Sequence, residues 1–187
     1  MTKTAAVSEI IATAPDLPKI FSTGFISRIA ASVADPPHHF YMTGSMGLAL
    51  PLGTGVALAT GRTTVVVDGD GSLLMNPAGL LAAGAAKTLP LIHIVLDDGR
   101  YDSTGGQPTP GDSADLTAWA RACGFSRARS VADRGELSKV LKAAVTGCSA
   151  PVFLHCTVEP DAAPPPRVTE NLAGITDSFS AALRTVQ

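Results

Sequence analysis

The chain has 187 residues, 45% of them hydrophobic and only 16% charged, with 14 Lys and Arg against 16 Asp and Glu for a net charge of −2. That balance excludes an intrinsically disordered chain and leaves no basic footprint for nucleic acid. The length suits one domain that buries ~70% of its unfolded surface without disulfide staples. The three cysteines, Cys123, Cys148 and Cys156, lack metal-ligand spacing and fit a reduced, cytoplasmic setting. Thr43–Leu96 is sparsely charged, but Gly and Pro interrupt it before the ~20 unbroken apolar residues of a bilayer helix. Met1–Leu17 carries Glu9 and lacks the apolar centre of a signal peptide, so the expectation is a soluble protein.

In chain order, Lys19–Ser22 is a short strand candidate, Thr23-Gly24 a turn, and a helix follows to about Ala34, stopped by Pro36-Pro37. His39–Met42 reads as a second strand and Gly44–Gly47 as a glycine-bearing turn, before a helix of small residues at Leu48–Ala59. The β-branched run Thr63–Val67 ends in Asp68-Gly69-Asp70-Gly71. Pro77–Lys87 reads as a helix with proline in its first turn, where the missing N–H does no harm. Leu91–Leu96 is again continuously apolar and ends in Asp97-Asp98-Gly99. A helix at Leu116–Cys123, an edge strand near Arg127–Ser130, a helix at Glu136–Gly147 and a strand at Val152–Val158 continue the alternation. Asp161–Pro166 is a proline-rich connector, and the tail beyond it sets Leu172, Ile175, Phe179 and Leu183 on one helical face. Strands apolar on both faces, alternating with helices, predict an α/β fold: a single doubly wound, mostly parallel sheet with helices on both faces. Residues 1–187 form one domain in this reading, and 161–187 are its connector and C-terminal helix.

Ligands of such a sheet bind outside the carboxyl ends of its strands. The strand candidates run directly into Thr23-Gly24, Gly44-Ser45-Met46-Gly47, Gly69-Asp70-Gly71-Ser72 and Asp97-Asp98-Gly99, four polar glycine-bearing loops on one edge. Glycines beside Asp70 let backbone N–H groups approach an anion, and Ser72 can donate to a phosphate oxygen. Asp70 would repel a bare anion, so a cation between them makes sense, and hard oxygen donors favour Mg²⁺. Asp98 ends the neighbouring strand and can share that ion. Asp68 and Asp97 read as fixing their own turns, and His93 and His155 as core histidines. His38 reads as packing, whereas His39 stands evenly between packing and contact with substrate.

The run Gly69-Asp70-Gly71-Ser72, followed by Asp97-Asp98-Gly99-Arg100-Tyr101, resembles the metal and diphosphate motif of thiamine-diphosphate enzymes, with Asp98 where Asn is usual. Ser22–Arg28, Phe40–Ala49 and Tyr101–Thr109 look like the loops of the phosphonopyruvate and sulfopyruvate decarboxylases. The resemblance implies thiamine diphosphate and Mg²⁺ as cofactors, with Asp70, Asp98 and the Arg100 carbonyl on the metal. Thr23, Gly24, Ser72, Ser103, Thr104 and Gly105 would hold the diphosphate, and Ser45, Gly69, Gly71 and Tyr101 would complete the cofactor pocket. The Gly44 carbonyl would accept a hydrogen bond from the aminopyrimidine, and Met46 would be the wedge that bends the cofactor. Gly44, Met46 and Thr104 are thus the implied catalytic set.

The implied reaction is decarboxylation of a small anionic 2-oxo acid, either 3-phosphonopyruvate to phosphonoacetaldehyde or sulfopyruvate to sulfoacetaldehyde. Among Arg28, Arg62 and Arg100, Arg100 is the first choice for the substrate's terminal anion because it adjoins the metal loop. The extra charge at Asp98 calls for a basic group or a partner chain to offset it. Enzymes of this kind also need a glutamate against the pyrimidine ring, and none of Glu9, Glu136, Glu159 and Glu170 lies near the site loops. The resemblance therefore implies a hetero-oligomer in which a separate pyrimidine-binding, alpha-type subunit supplies the glutamate. Alternative readings are a carboligase acting on other 2-oxo acids and a non-catalytic cofactor-binding regulatory subunit. A plain nucleotide-binding module ranks last, for want of a phosphate-loop lysine.

Overall fold

The computed structural model describes residues 1–161 and 163–185. Thr2 opens the first helix, accepting the Ala5 N–H on its hydroxyl, and Ala6, Val7 and Ile10 line up as a buried stripe on α1 (Lys3–Thr13). The sequence reading gives this segment no element. The alternation then runs β1 (Lys19–Phe21), α2 (Phe25–Val33), β2 (His39–Tyr41), α3 (Ala49–Thr60) and β3 (Thr64–Gly69). A six-residue helix, α4 (Asp70–Met75), starts directly at the strand end where the sequence predicts a loop. Its acid at the first position suits the helix amino terminus, and Leu73 anchors it in the core. Next come α5 (Ala78–Ala85), β4 (Leu91–Asp97) and a small antiparallel hairpin of β5 (Arg100–Tyr101) and β6 (Gln107–Pro108). The chain closes with α6 (Leu116–Ala122), β7 (Arg127–Val131), α7 (Arg134–Thr146), β8 (Val152–Thr157) and α8 (Leu172–Arg184). Ala162, Val186 and Gln187, part of the segment read as connector and final helix, lie outside the described residues.

Six strands form one parallel sheet in the order β2-β1-β3-β4-β8-β7. Successive side chains of a strand face opposite ways. Ile92, Ile94 and Leu96 therefore join one core, with α1, α2 and α7, while Leu91 and Val95 join the other, with α3, α5 and α6. Covering both faces makes the buried runs of β3 and β4 possible. Helix α8 straddles the β2 edge: Ile175 enters the first core, Phe179 the second, and the Phe179 ring meets Phe40 edge-on at 5.4 Å. That cover removes an open strand edge. From β1 the chain moves outward to β2 and then crosses back to β3, so the order reverses between β1 and β3, where ligands of such sheets collect. Among the described residues no helix is long and apolar enough to cross a membrane.

Candidate active site

The four glycine-bearing loops meet at the carboxyl edge of the sheet. A narrow cleft there is lined by Thr23, Met46, Asp70, Ser72, Arg100 and Tyr101, among others. Asp70 is the first residue of α4, 2% exposed, and its Oδ2 accepts a 2.6 Å hydrogen bond from the Thr109 hydroxyl. Burial pushes the Asp70 carboxyl up to about 6, against the lowering effect of the Thr109 bond.

Two contacts lock the Gly44–Gly47 loop onto α4. The Gly47 N–H donates to Ser72 Oγ at 3.0 Å, and the Asn76 side chain donates to the Gly47 carbonyl at 3.0 Å. Ser72 therefore accepts within the protein and keeps its own O–H free to donate. Ser45 takes φ 57°, which turns the loop so that Met46 reaches the cleft while Gly44 stays exposed. Gly24, at φ 93°, lies so close to Ser103 that a Cβ there would collide with the Ser103 hydroxyl. This packing joins the loop after β1 to the Ser103–Gly105 turn. Thr104 is exposed, its hydroxyl bonded to the Tyr101 carbonyl and the Gln107 side chain, and Gly105 turns at φ 121°. The Tyr101 ring lies 2.5 Å from where a Cβ on Gly71 would stand, so that position admits only glycine while the ring rests there.

Asp98 is held from an unexpected quarter. Its Oδ2 lies 2.7 Å from the ammonium of Lys3, which also reaches Asp102 at 2.6 Å. Burial works against the Lys3 ammonium, but Asp102 and Asp98 outweigh it and keep its pKa above the ordinary value. Burial raises the Asp98 carboxyl, with Lys3 opposing. The basic group that the extra charge at 98 called for is thus Lys3. Sequence reasoning misses it together with α1, although the Thr2 cap and the Ala6, Val7, Ile10 spacing are visible signals. It also misses Thr109 and Asn76.

The residues flanking this site behave as structural ties. Asp97 bonds His155 at 2.7 Å and caps Gly99 N–H, and the His155 bond holds its carboxyl below the usual range. Asp68 accepts from Gly69 N–H and faces buried His93 at 3.4 Å. His38 and His39 both lie at the amino end of β2, the edge of the sheet opposite the site, which corrects the substrate contact held open for His39. His38 bonds the Pro15 carbonyl and His39 packs on Phe21. Arg62 precedes β3 and lies at that same far edge.

Whether the donor set fits a cation is tested by one atom: Asp98 Oδ1 is buried and has no hydrogen-bond partner. An orphaned carboxylate oxygen, together with a buried Asp70 of raised pKa, is what a hard divalent ion would satisfy. Among the described residues no three His, Cys, Asp or Glu side chains are grouped to hold a metal alone. Backbone and ligand oxygens would have to complete its shell.

A parallel sheet with four glycine-bearing loops at the carboxyl ends of its strands, and the buried carboxylates of Asp70 and Asp98 beside them, defines an α/β domain with a candidate ligand site at its switch point. Residues 22–156 match the family described as thiamine pyrophosphate enzyme, C-terminal TPP binding domain. Phosphonopyruvate decarboxylase of Streptomyces viridochromogenes is 41% identical over 160 residues, covering 85% of this chain and 40% of that enzyme. Sulfopyruvate decarboxylase subunit beta of Methanothermobacter thermautotrophicus is 41% identical over 174 residues, covering 93% of this chain and 91% of that subunit. Benzoylformate decarboxylase of Polynucleobacter necessarius shares the fold, with a TM-score of 0.72 at 19% identity over 86% of this chain and 34% of that one. The chain belongs to the thiamine pyrophosphate enzyme family, in the group that holds the phosphonopyruvate decarboxylases and the sulfopyruvate decarboxylase beta subunits. It spans only 40% of the Streptomyces enzyme but nearly all of the methanogen subunit.

Proposed function

We propose that this chain is the diphosphate-binding subunit of a decarboxylase that converts 3-phosphonopyruvate or sulfopyruvate to the corresponding aldehyde and CO₂, using thiamine diphosphate and Mg²⁺. The observation that carries the reading is the end-to-end match to a beta subunit, 93% of this chain against 91% of the relative. A match of that extent supports the same division of labour between two chains. Bound thiamine diphosphate supplies the electron sink for loss of CO₂ from a 2-oxo acid. The chain's own residues bind and orient it. Thr23, Gly24, Ser72 and the Ser103–Gly105 turn hold the diphosphate, lined by Ser45, Gly69, Gly71 and Tyr101. Asp70, Asp98 and the Arg100 carbonyl would hold the Mg²⁺. The Gly44 carbonyl would accept a hydrogen bond from the aminopyrimidine, Met46 would be the wedge packed against the cofactor, and Thr104 would complete the set at the diphosphate end.

None of the four glutamates lines the cleft. Glu9 pairs with Arg134, and Glu136 caps the Ala132 N–H. An alpha-type partner supplies the missing glutamate in this reading. The surface of α3 and α5, where Leu58 and Leu81 are 63% and 62% exposed, supports such a contact. Co-expression with that partner tests the proposal, with CO₂ release from each substrate as the readout. Turnover is expected only from the pair, and only with both cofactors. A reconstituted pair that takes up no thiamine diphosphate in excess magnesium would overturn it.

A further inference from the structure

Beside the cleft lies a second, larger cavity of about 400 Å³. Its walls include Thr23, Phe25, Arg28, Thr43, Ser103 and Arg167, and among the described residues no Asp or Glu lines it. It shares Thr23, Phe25 and Ser103 with the cleft that contains Asp70 and Met46, so the two form adjoining compartments. We infer that Arg28 and Arg167 form the subsite for the terminal oxyanion of the substrate, the sulfonate or phosphonate group at the carbon beyond the ketone. This inference rests on the decarboxylase reading above.

Both arginines line this cavity, Arg28 from α2 and Arg167 from the connector. Arg28 Nε donates to the Pro165 carbonyl at 2.6 Å, across 137 positions of sequence, and its guanidinium carbon stands 5.3 Å from the centre of the Phe25 ring. These contacts fix the plane of Arg28 and leave its terminal amino groups without a hydrogen-bond partner among the described residues. Pro165 also sets the course of the connector that carries Arg167 two residues on. The connector thereby supplies one wall of the cavity and sets the second positive charge on the same cavity as the first. Neither arginine forms an ion pair among the described residues.

Charge decides between this pair and Arg100. Arg100 faces the cleft with Asp70 and Asp102 on one side and a cavity with Asp97, Asp98 and Asp112 on the other. A sulfonate or phosphonate there would meet carboxylates at every turn. In the Arg28–Arg167 cavity it meets two cations and the Thr43 hydroxyl, while Thr23 and Ser103 on the shared wall serve the diphosphate. Guanidinium forks suit a tetrahedral group with three oxygens. The cavity thus takes over the role first given to Arg100, and it explains how this site would prefer an anion-tailed 2-oxo acid to pyruvate.

The test titrates the complex co-expressed with the alpha-type partner, loaded with thiamine diphosphate and MgCl₂, with 3-sulfopropionate and with 3-phosphonopropionate, which carry the tail but no ketone. Calorimetry should show binding, weakened about 10- to 100-fold by Arg167→Ala and partly restored by Arg167→Lys. Arg167 is exposed, so its replacement leaves the core intact. In the co-expressed complex, the kcat/KM ratio of sulfopyruvate to pyruvate should fall by the same factor. A comparison of the two anions shows which tail the pair prefers, and preference for either supports the subsite. Failure of the wild-type complex to bind either anion, equal affinity in wild type and Arg167→Ala, or a matching loss of thiamine diphosphate affinity would overturn it. The last outcome would make Arg167 a cofactor ligand. Failure to take up thiamine diphosphate at all would instead overturn the functional reading itself.

Discussion

Lys3 Nζ stands 2.7 Å from Asp98 Oδ2, tying the first turn of α1 to the carboxyl end of β4 across 95 positions of sequence. Both side chains are buried, 6% and 0% exposed. Removing one partner of a buried pair leaves the other charge uncompensated and costs about 3 kcal/mol. Lys3→Met should therefore destabilise the chain by about that amount, with Asp102 relieved in part by turning its partly exposed carboxylate to water. Adding Asp98→Asn should recover a large share of the loss. Urea melts of the four proteins give the coupling energy, expected above about 1 kcal/mol. A coupling near zero would reduce the contact to coincidence.

The Asp70 carboxylate carries its own stability cost when no cation is bound. Its folded pKa is raised from 3.8 to about 6 by burial. A carboxyl raised in this way favours the folded state at low pH, and that advantage is lost as pH rises through about 6. Asp70→Asn should consequently raise the midpoint of thermal unfolding at pH 7.5 in EDTA, by a margin that shrinks toward pH 5. The same substitution should abolish the stabilisation that MgCl₂ and thiamine diphosphate give the wild type. If Asp70→Asn lowers the EDTA midpoint at pH 7.5, burial is not what raises this group.

Two glycines of the site loops should respond oppositely to alanine. Gly24 sits at φ 93°, where an L side chain is strained, and its Cβ would strike Ser103. Gly24→Ala should cost about 1–3 kcal/mol and weaken thiamine diphosphate binding by separating the two diphosphate loops. Gly44 has no atom within 4 Å of a built Cβ and no positive φ. Gly44→Ala should leave stability within about 0.5 kcal/mol of wild type. Chemical denaturation of both variants decides the matter, and equal losses would mean that the φ 93° turn is not a constraint.

How much of the fold and site is legible in the sequence follows from which interactions are local. The β-branched runs that form β3 and β4, and the glycine loops at their ends, announce themselves because apolar runs and turn residues are features of neighbouring positions. The Leu172, Ile175, Phe179 and Leu183 periodicity reveals α8 for the same reason, but not that it straddles the β2 edge. Helix α4 is hidden because six residues containing a glycine carry little helical signal, and its formation depends on Leu73 reaching the core. Lys3 cannot be paired with Asp98 without the sheet order that brings α1 over the end of β4. The same holds for Arg28 and Arg167, which line one cavity only because the connector folds back to Arg28. A substrate contact for His39 stays open in the sequence because His39 begins the three-residue β2, and strand direction decides which end faces the ligand.

His39 offers the clearest pH test of the core away from the site. It is 3% exposed, packs edge-on against Phe21 at 5.1 Å, and shares its Nδ1–H between the Tyr41 hydroxyl and the Ala34 carbonyl, while Nε2 has no partner. Burial pushes the imidazole from 6.5 down to about 3. Between those values the unfolded chain binds a proton that the folded chain refuses, so stability falls as pH drops, with a slope of up to about 1.4 kcal/mol per pH unit. Above pH 7 neither state is protonated and the effect vanishes. His39→Phe keeps a ring against Phe21 and removes the proton site. It should lose about 1 kcal/mol at pH 7 with the Tyr41 bond, yet fall more gently than wild type from pH 6 to pH 4.5. Urea midpoints across that range measure the two slopes; parallel curves would show that the folded protein protonates this histidine freely.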